Sequence, residues 1–162
     1  MEKKTENQNK LLDKKAFTIS GNPKKTYLPP KRLSLVPDFN FTPLDESHKR
    51  LEASAWKYEK ALTGVKKGVL SAEKKSQVNQ LLREVEQAMT RSDGLPRRKW
   101  FKNMIYAPGF YTGYGVKTLP GIREGLEERN WDETHFYILE VAKALDRAAA
   151  KINAAADILK AS

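Results

Sequence analysis

The segment from Gly94 to Ile122 limits the possible folds more than any other part of this 162-residue sequence. It holds six of the fifteen aromatic residues, and it is punctuated by Pro96, Pro108 and Pro120. Each proline fixes φ and removes a backbone donor, so a single helix cannot run through the segment. Strict strand alternation is also absent. Because its aromatic density argues against disorder, the segment predicts a long ordered loop, and loops of this length are usually functional.

Helical patterns flank this loop on both sides. Apolar residues recur there at spacings of three and four, and residues that suit helix caps precede the repeats. The predicted helices run from a Thr42 N-cap to Gly64, from a Ser71 N-cap to before Asp93, from Thr118 to Arg129, and from Asn130 or Asp132 to about Leu159. We therefore predict an all-α helical bundle that carries a long Pro-, Gly- and aromatic-rich loop.

The apolar stripes of these helices predict the core. In the first helix the stripe consists of Leu44, His48, Leu51, Ala55, Tyr58 and Leu62. The expected core residues of the bundle include Leu51, Leu82, Val85, Leu139 and Leu145. The last helix is rich in alanine, which favours helix and leaves a smooth face that another helix can approach closely.

Residues 1–38 differ in composition from the rest of the chain. They are polar, rich in lysine and broken by prolines, which is typical of a linker or tail. We predict a domain boundary there, with residues 39–162 forming the helical domain. The net charge of +10 favours an anionic partner, but half of the excess of basic over acidic residues lies in this first quarter of the chain.

Several functional classes are disfavoured by composition. The absence of cysteine excludes disulfides, thiolate catalysis and cysteine–zinc sites. No apolar run approaches the ~20 residues of a membrane span. The first residues lack an apolar core, so we expect no signal peptide in this chain, and the sequence indicates no particular cellular location.

Catalytic and metal-binding patterns are weak. The two histidines, His48 and His135, lie far apart, and only Glu52 stands at i+4 from the first. This spacing matches none of the common zinc motifs. No serine occupies a nucleophile elbow. We therefore predict no autonomous active site and no cofactor in this chain.

Two motifs in the loop could bind anions. The Gly113-Tyr114-Gly115 turn lacks the strand and the further residues of a phosphate loop, so its glycines more simply turn Tyr114 outward. The run from Arg97 to Lys102 mixes basic and aromatic residues, as some nucleic-acid surfaces do. The simpler interpretation is that its aromatic side chains enter the core while its basic side chains stay solvated, which disfavours nucleic acid.

The loop resembles the C-terminal, transferrin receptor-like dimerisation domain of the glutamate carboxypeptidase II family of zinc peptidases. The landmarks are Gly94-Leu95-Pro96-x-Arg98-x-Trp100, Ile105-Tyr106-Ala107-Pro108, Tyr114 and Pro120-Gly121-Ile122. The resemblance covers about residues 39–160 and includes the flanking helices. It implies a helical bundle that builds a homodimer and whose loop lines the pocket for the substrate's C-terminal residue.

The resemblance also implies roles for single residues. Tyr114 matches the tyrosine that donates its hydroxyl to a substrate carboxylate. Gly113 stands where glutamate-specific members have lysine, and Lys117 is a candidate for supplying the cation instead. The expected loop anchors are Tyr106, Pro108, Pro120 and Gly121. The zinc ligands and the catalytic glutamate of the family belong to an upstream peptidase domain, so we expect zinc only in an associated domain.

Three functional hypotheses remain open at this point. The first is a non-catalytic homodimerisation module that completes the pocket of such a peptidase, with the alanine-rich helix face as its seam. The second is a small basic helical adaptor that binds an acidic partner or nucleic acid through the lysine-rich N-terminus and the Arg97–Lys102 run. The third is a regulatory subunit that pairs with a full-length relative.

Overall fold

The computed structural model describes residues 1–18, 28–65 and 70–161. The chain divides into two units, Met1–Phe39 and Asn40–Ser162. Within its described residues, the larger unit consists of four α-helices and one two-stranded antiparallel sheet. The mainly helical fold is thus confirmed, whereas the sequence predicted no strands in the central loop.

The four helices of the larger unit follow the predicted order along the chain. The elements of the whole chain are α1 (Glu2–Asp13), a 3-10 helix (Ala16–Thr18), α2 (Thr42–Gly64), α3 (Ala72–Ala88), β1 (Tyr106–Pro108), β2 (Val116–Thr118), α4 (Pro120–Glu128) and α5 (Trp131–Lys160). The basic turn predicted between α2 and α3 falls largely on residues 66–69, outside the described residues.

The smaller unit contains more structure than the predicted linker. Its helix α1 spans twelve residues, whereas the sequence predicted only a linker or tail there. The Asn9 side chain donates to the Leu33 carbonyl at 2.9 Å and accepts from the Leu33 amide at 3.0 Å. These two bonds attach the extended segment around Leu33 to α1. The Asn9 side chain thus makes the hydrogen bonds that a neighbouring strand would otherwise make to the Leu33 backbone.

Side-chain caps start two of the helices as predicted. The Ser71 hydroxyl accepts from the Lys74 amide at 3.2 Å, and the Asn130 side chain accepts from the Glu133 amide at 3.2 Å. The expected Thr42 cap is wrong, because Thr42 is already helical and Phe41 occupies the N-cap position.

Helix α5 lies at the centre of the larger unit, in contact with α2, α3 and α4. Its buried apolar residues are Tyr137, Ile138, Val141, Ala142, Ala144, Leu145, Ala148, Ala149, Ala155, Ala156 and Leu159. Most of its alanines therefore pack inside this chain. The prediction that the alanine-rich face forms the dimer seam is wrong, because neighbouring helices of the same chain already cover it.

Helix α2 meets the bundle through small side chains. Its fully buried residues are Ser47, Ser54 and Ala61, which recur every seven residues. The two hydroxyls donate to backbone carbonyls of their own helix at 2.8 and 2.7 Å, and Ser54 also accepts from Asn153 of α5 at 2.8 Å. Because these side chains are small and satisfied, α2 and α5 can approach closely.

The larger apolar residues of α2 are consequently left at the edge of the bundle. Of the predicted stripe, Leu44, Leu51 and Tyr58 are half-buried, while His48, Ala55 and Leu62 are exposed. The same holds on α3, where Leu82 and Val85 are only half-buried. The predicted core is thus confirmed in full only for Leu145, and it is wrong for Leu139, which is 49% exposed.

The two leucines of α5 provide a direct test of this packing. Leu145→Ala is expected to lower the free energy of unfolding by about 2–5 kcal/mol, because the side chain is only 8% exposed. Leu139→Ala should cost less than about 1 kcal/mol, since the side chain lies largely in solvent. Urea denaturation of both variants measures the difference. Equal losses would contradict the packing described here.

Candidate functional site

The central loop folds around a short β-hairpin. In its antiparallel register Tyr106 pairs with Thr118, Ala107 with Lys117, and Pro108 with Val116. The Gly109 amide donates to the Gly115 carbonyl at 2.9 Å, which closes a turn over residues 109–115. We call this segment, Gly109–Gly115, the tip. Gly109 is buried, whereas residues 110–115 of the tip are exposed.

The tip displays two tyrosines. Tyr114 is fully exposed and Tyr111 is largely exposed. Gly113 has φ +60°, a left-handed conformation that glycine adopts without strain, and an added Cβ there would meet no neighbouring atom. The predicted outward turn of Tyr114 is therefore present. The Gly115 amide donates to the Thr112 carbonyl at 3.2 Å and tightens the turn.

A buried ion pair lies beneath the tip. Arg98 Nη1 donates to Glu124 Oε2 at 2.7 Å, and Nη2 donates to Oε1 at 2.9 Å. Arg98 is 2% exposed and Glu124 is 1% exposed. The backbone amide of Phe110 also donates to Glu124 Oε1, at 2.9 Å. One carboxylate of α4 thus holds both the Arg98 turn and the first aromatic residue of the tip.

The electrostatics of this pair keep Glu124 ionised. Burial by itself raises the pKa of Glu124, but hydrogen bonds from Arg98 and the Phe110 amide outweigh it, helped by attraction to Arg98 and Lys117. The net result is a pKa below the usual range of a glutamate. The site therefore contains a stable buried carboxylate and lacks the raised pKa expected of a proton donor.

A second ion pair holds the other strand of the hairpin. Lys117 is 7% exposed, and its ammonium donates to Glu127 Oε2 at 2.5 Å. Glu124 and Glu127 are three residues apart on α4, so they face the hairpin from the same side of the helix. In this conformation Lys117 points toward α4, while Tyr114 points into solvent.

The predicted anchors lie at the base of the hairpin. Tyr106 and Pro108 form β1, and the Tyr106 hydroxyl donates to Glu86 at 3.0 Å, a contact that raises the pKa of Tyr106. Pro120 begins α4 and is buried. A Cβ on Gly121 would lie 2.4 Å from the Tyr137 ring, so only glycine allows this approach of α4 to α5.

The basic run at Arg97–Lys102 is not a free cationic surface. Arg97 makes a two-point contact with Glu133 at 2.9 and 3.1 Å and lies 3.4 Å from Glu128. Arg98 is paired with Glu124. The interpretation that the basic side chains stay solvated is wrong for Arg98, which is 2% exposed, whereas Arg97 remains exposed although it is paired. The expectation that the aromatic side chains enter the core is wrong for Trp100, which is 74% exposed. The pairing of the two arginines removes part of the charge that the nucleic-acid hypothesis needs.

Sequence reasoning missed Glu124 and Glu127. A glutamate on a helix is rarely buried unless it is paired, and its partner cannot be predicted from the helix alone. Their i, i+3 spacing directly after the Pro-Gly start of α4 was the available signal. That spacing alone does not name their partners, since Arg98 and Lys117 come from different parts of the loop.

Neither metal nor membrane features stand out in the part of the chain that the structure describes. No cluster of three or more metal-ligating side chains occurs among those residues. None of the described helices combines the length and the hydropathy needed to cross a membrane.

These features define a small helical domain that displays a hairpin supported by one buried ion pair, Arg98–Glu124, and by a second pair, Lys117–Glu127, whose carboxylate is half-exposed. The family model of the transferrin receptor-like dimerisation domain matches residues 39–153. The match covers most of the chain, and the chain belongs to this family. The resemblance described above is thereby confirmed.

Two relatives place this domain in a longer protein. A probable glutamate carboxypeptidase of Arabidopsis thaliana is 31% identical over 90 residues, which cover 51% of this chain and 13% of the relative. A probable glutamate carboxypeptidase of Arthroderma benhamiae is 27% identical over 124 residues, which cover 76% of this chain and 17% of the relative. The chain thus spans less than a fifth of the length of these relatives.

Proposed function

We propose that this chain acts as a non-catalytic homodimerisation module that also completes the substrate pocket of a glutamate carboxypeptidase-like zinc peptidase. The observation that carries the pocket role is the fully exposed Tyr114, displayed on a tip that Glu124 and Glu127 hold from below. Membership of a dimerisation-domain family supports the assembly role. Zinc and the groups that activate water are then supplied by an associated peptidase domain.

In this pocket Tyr114 would act as a hydrogen-bond donor. Its hydroxyl donates to the carboxylate at the C-terminal end of a peptide substrate, and the flanking glycines allow the backbone to approach that end closely. The paired state of Lys117 gives it a different task from the one proposed by resemblance. Unless Glu127 releases it, Lys117 supports β2 and leaves the substrate carboxylate to Tyr114 and the peptidase domain.

Reconstitution tests the pocket role. The chain is added to a peptidase domain of this family that lacks its own dimerisation domain, and hydrolysis of an N-acyl dipeptide ending in glutamate is followed. Tyr114→Phe is expected to lower kcat/KM by about 10- to 100-fold, which corresponds to one hydrogen bond to a charged group.

Tyr111→Phe is the matched control, because it removes a hydroxyl from the same tip. It should leave kcat/KM within about twofold of the wild type, a change of less than half a kcal/mol. Equal rates for the wild type and Tyr114→Phe, or no stimulation by the chain at all, would contradict the pocket role.

For the dimer seam we propose the apolar stripe of α2, defined by Leu44, His48, Leu51, Ala55, Tyr58 and Leu62. This stripe spans about 27 Å of helix and is nowhere fully buried within the described chain. We propose a second copy as its occupant, because the chain belongs to a dimerisation-domain family and a two-fold axis lets one stripe cover its equivalent. A specific seam would bury at least ~1,000 Å² in total.

A further inference from the structure

The buried carboxylate of Glu124 has more partners than an ion pair requires. Arg98 binds both of its oxygens, and the Phe110 amide adds a third hydrogen bond from the tip. Buried ion pairs are often no more stabilising than apolar residues of the same volume. Arg98 Nε is also buried without a hydrogen-bond partner in the described structure, which adds to the cost of this arrangement. Stability alone therefore does not account for it.

Phe110 is held from two directions at this point. Its amide is bound to Glu124, and its ring has the guanidinium carbons of Arg97 and Arg98 at 5.6 and 5.9 Å from the ring centre. Both its backbone and its side chain therefore have defined partners. Phe110 is also the residue at which the hairpin leaves β1 and enters the exposed part of the tip.

The path from Phe110 to Tyr114 is short and internally bonded. Three residues separate them, and the turn that contains them is closed by the Gly109–Gly115 and Gly115–Thr112 backbone hydrogen bonds. The Phe110 ring also packs edge-to-face on Tyr111, with 4.9 Å between centroids. These bonds restrict the turn, so the position of Phe110 limits the directions that the backbone at Tyr114 can take.

We propose that Arg98 and Glu124 are positioning residues: through the Phe110 amide they set the orientation of the tip and hence the direction in which Tyr114 presents its hydroxyl. We call this arrangement the clasp. This proposal rests on the proposed function only for the role of Tyr114 as a donor to the substrate carboxylate. The substrate class it serves is a peptide with a free C-terminal carboxylate, since that anion needs a donor in a defined place.

The test is ¹⁵N relaxation on the full chain, which reports backbone order in the folded state independently of stability. In the wild type the Phe110 and Tyr114 amides should have order parameters near those of a rigid backbone, about 0.85. Glu124→Met, which removes both acceptor oxygens and keeps most of the volume, should lower both values to below about 0.6 while α5 stays unchanged. Glu128→Met is the matched control, because it removes an acid of α4 that pairs with Arg97 and does not bind the tip.

A folded Glu124→Met variant with a tip as ordered as the wild type would overturn the proposal, because the pair would then only stabilise the fold. If Glu124→Met fails to fold, the double variant Arg98→Glu/Glu124→Arg decides. It keeps opposite charges in the same place but puts a donor opposite the Phe110 amide. A folded double variant with a mobile tip supports the clasp. A folded one with an ordered tip, or one that does not fold, overturns it.

This experiment is independent of the peptidase. If relaxation supports the clasp while Tyr114→Phe has no effect on hydrolysis, the proposed function fails and the positioning device stands. If the tip is ordered without Glu124 while Tyr114→Phe impairs hydrolysis, the clasp fails and the proposed function stands.

Discussion

Replacing Arg98 with methionine is expected to lower the free energy of unfolding by about 3–5 kcal/mol, the usual loss when one partner of a buried ion pair is removed. Methionine fills much of the same space, so the loss comes mainly from the Glu124 carboxylate. In Arg98→Met that carboxylate stays buried and keeps only the Phe110 amide among the hydrogen bonds described here. Urea denaturation at pH 7 measures the change.

The pH dependence of this loss identifies its cause. The pKa of Glu124 is lower in the folded wild type than in the unfolded chain, so the ionised carboxylate contributes to the free energy of unfolding. This contribution is fully present above the unfolded pKa, near 4.5, and is lost as the pH falls through the folded pKa. In Arg98→Met, burial without the cation raises the pKa instead, so protonation stabilises the variant. The gap between the two proteins should therefore shrink from pH 7 to pH 4. A gap that stays constant would show that the Glu124 charge does not carry the loss.

Gly94→Ala is expected to have the second largest effect, a loss of about 2–5 kcal/mol. Gly94 has φ +70°, and a Cβ at this position would lie 2.1 Å from the Lys99 carbonyl oxygen. The left-handed conformation costs about 1–2 kcal/mol, and the steric overlap costs about 1–3 kcal/mol. The overlap involves backbone, so it cannot be relieved by rotating a side chain. The turn that carries Arg98 has to move instead.

Gly113→Ala separates these two contributions. Gly113 has nearly the same φ, +60°, but an added Cβ there would meet no atom within 4 Å. Alanine should therefore cost only the left-handed strain, about 1–2 kcal/mol. Urea denaturation of both variants gives the comparison. A Gly113→Ala loss as large as that of Gly94→Ala would mean that the contact with Lys99 contributes nothing.

Much of the helical architecture could be predicted from local signals. Ser71 and Asn130 begin helices because their side chains accept from amides three residues on, and Pro120 begins α4 because its fixed φ suits a first turn. These effects act within four residues of the chain. The landmarks of the loop could also be recognised, because turns and prolines leave a fixed spacing in the sequence.

Which face of each helix is buried could not be predicted from local signals in the same way. Leu51 and Tyr58 are the larger apolar residues of α2, yet Ser54 is the residue that is fully buried against α5. The reason lies in α5, whose alanines let a second helix come close only where that helix also has small side chains. A periodicity count on α2 alone contains no information about this partner.

The same limit explains the hairpin and its ion pairs. Strands of three residues have too few alternating positions to be recognised, and the pairing of Ala107 with Lys117 joins parts of the chain ten residues apart. The burial of Glu124 depends on Arg98, which is 26 residues earlier in the chain. Long-range contacts of this kind decide whether an acid on a helix is solvated or buried.

Sedimentation velocity on the purified chain is the most direct test of homodimerisation. It is carried out across a wide range of protein concentration and at two salt concentrations. We expect a dimer whose dissociation constant changes little with salt, because apolar burial along α2 is screened far less than charge pairing. Leu62→Glu, on the proposed seam, should weaken the dimer by at least tenfold through a charge placed in the interface. Trp56→Glu replaces an apolar residue that is also largely exposed on α2 but lies off the stripe, and should leave it unchanged. A folded monomer at the highest concentration would contradict homodimerisation. A dimer that is weakened by Trp56→Glu but not by Leu62→Glu would contradict the proposed seam on α2.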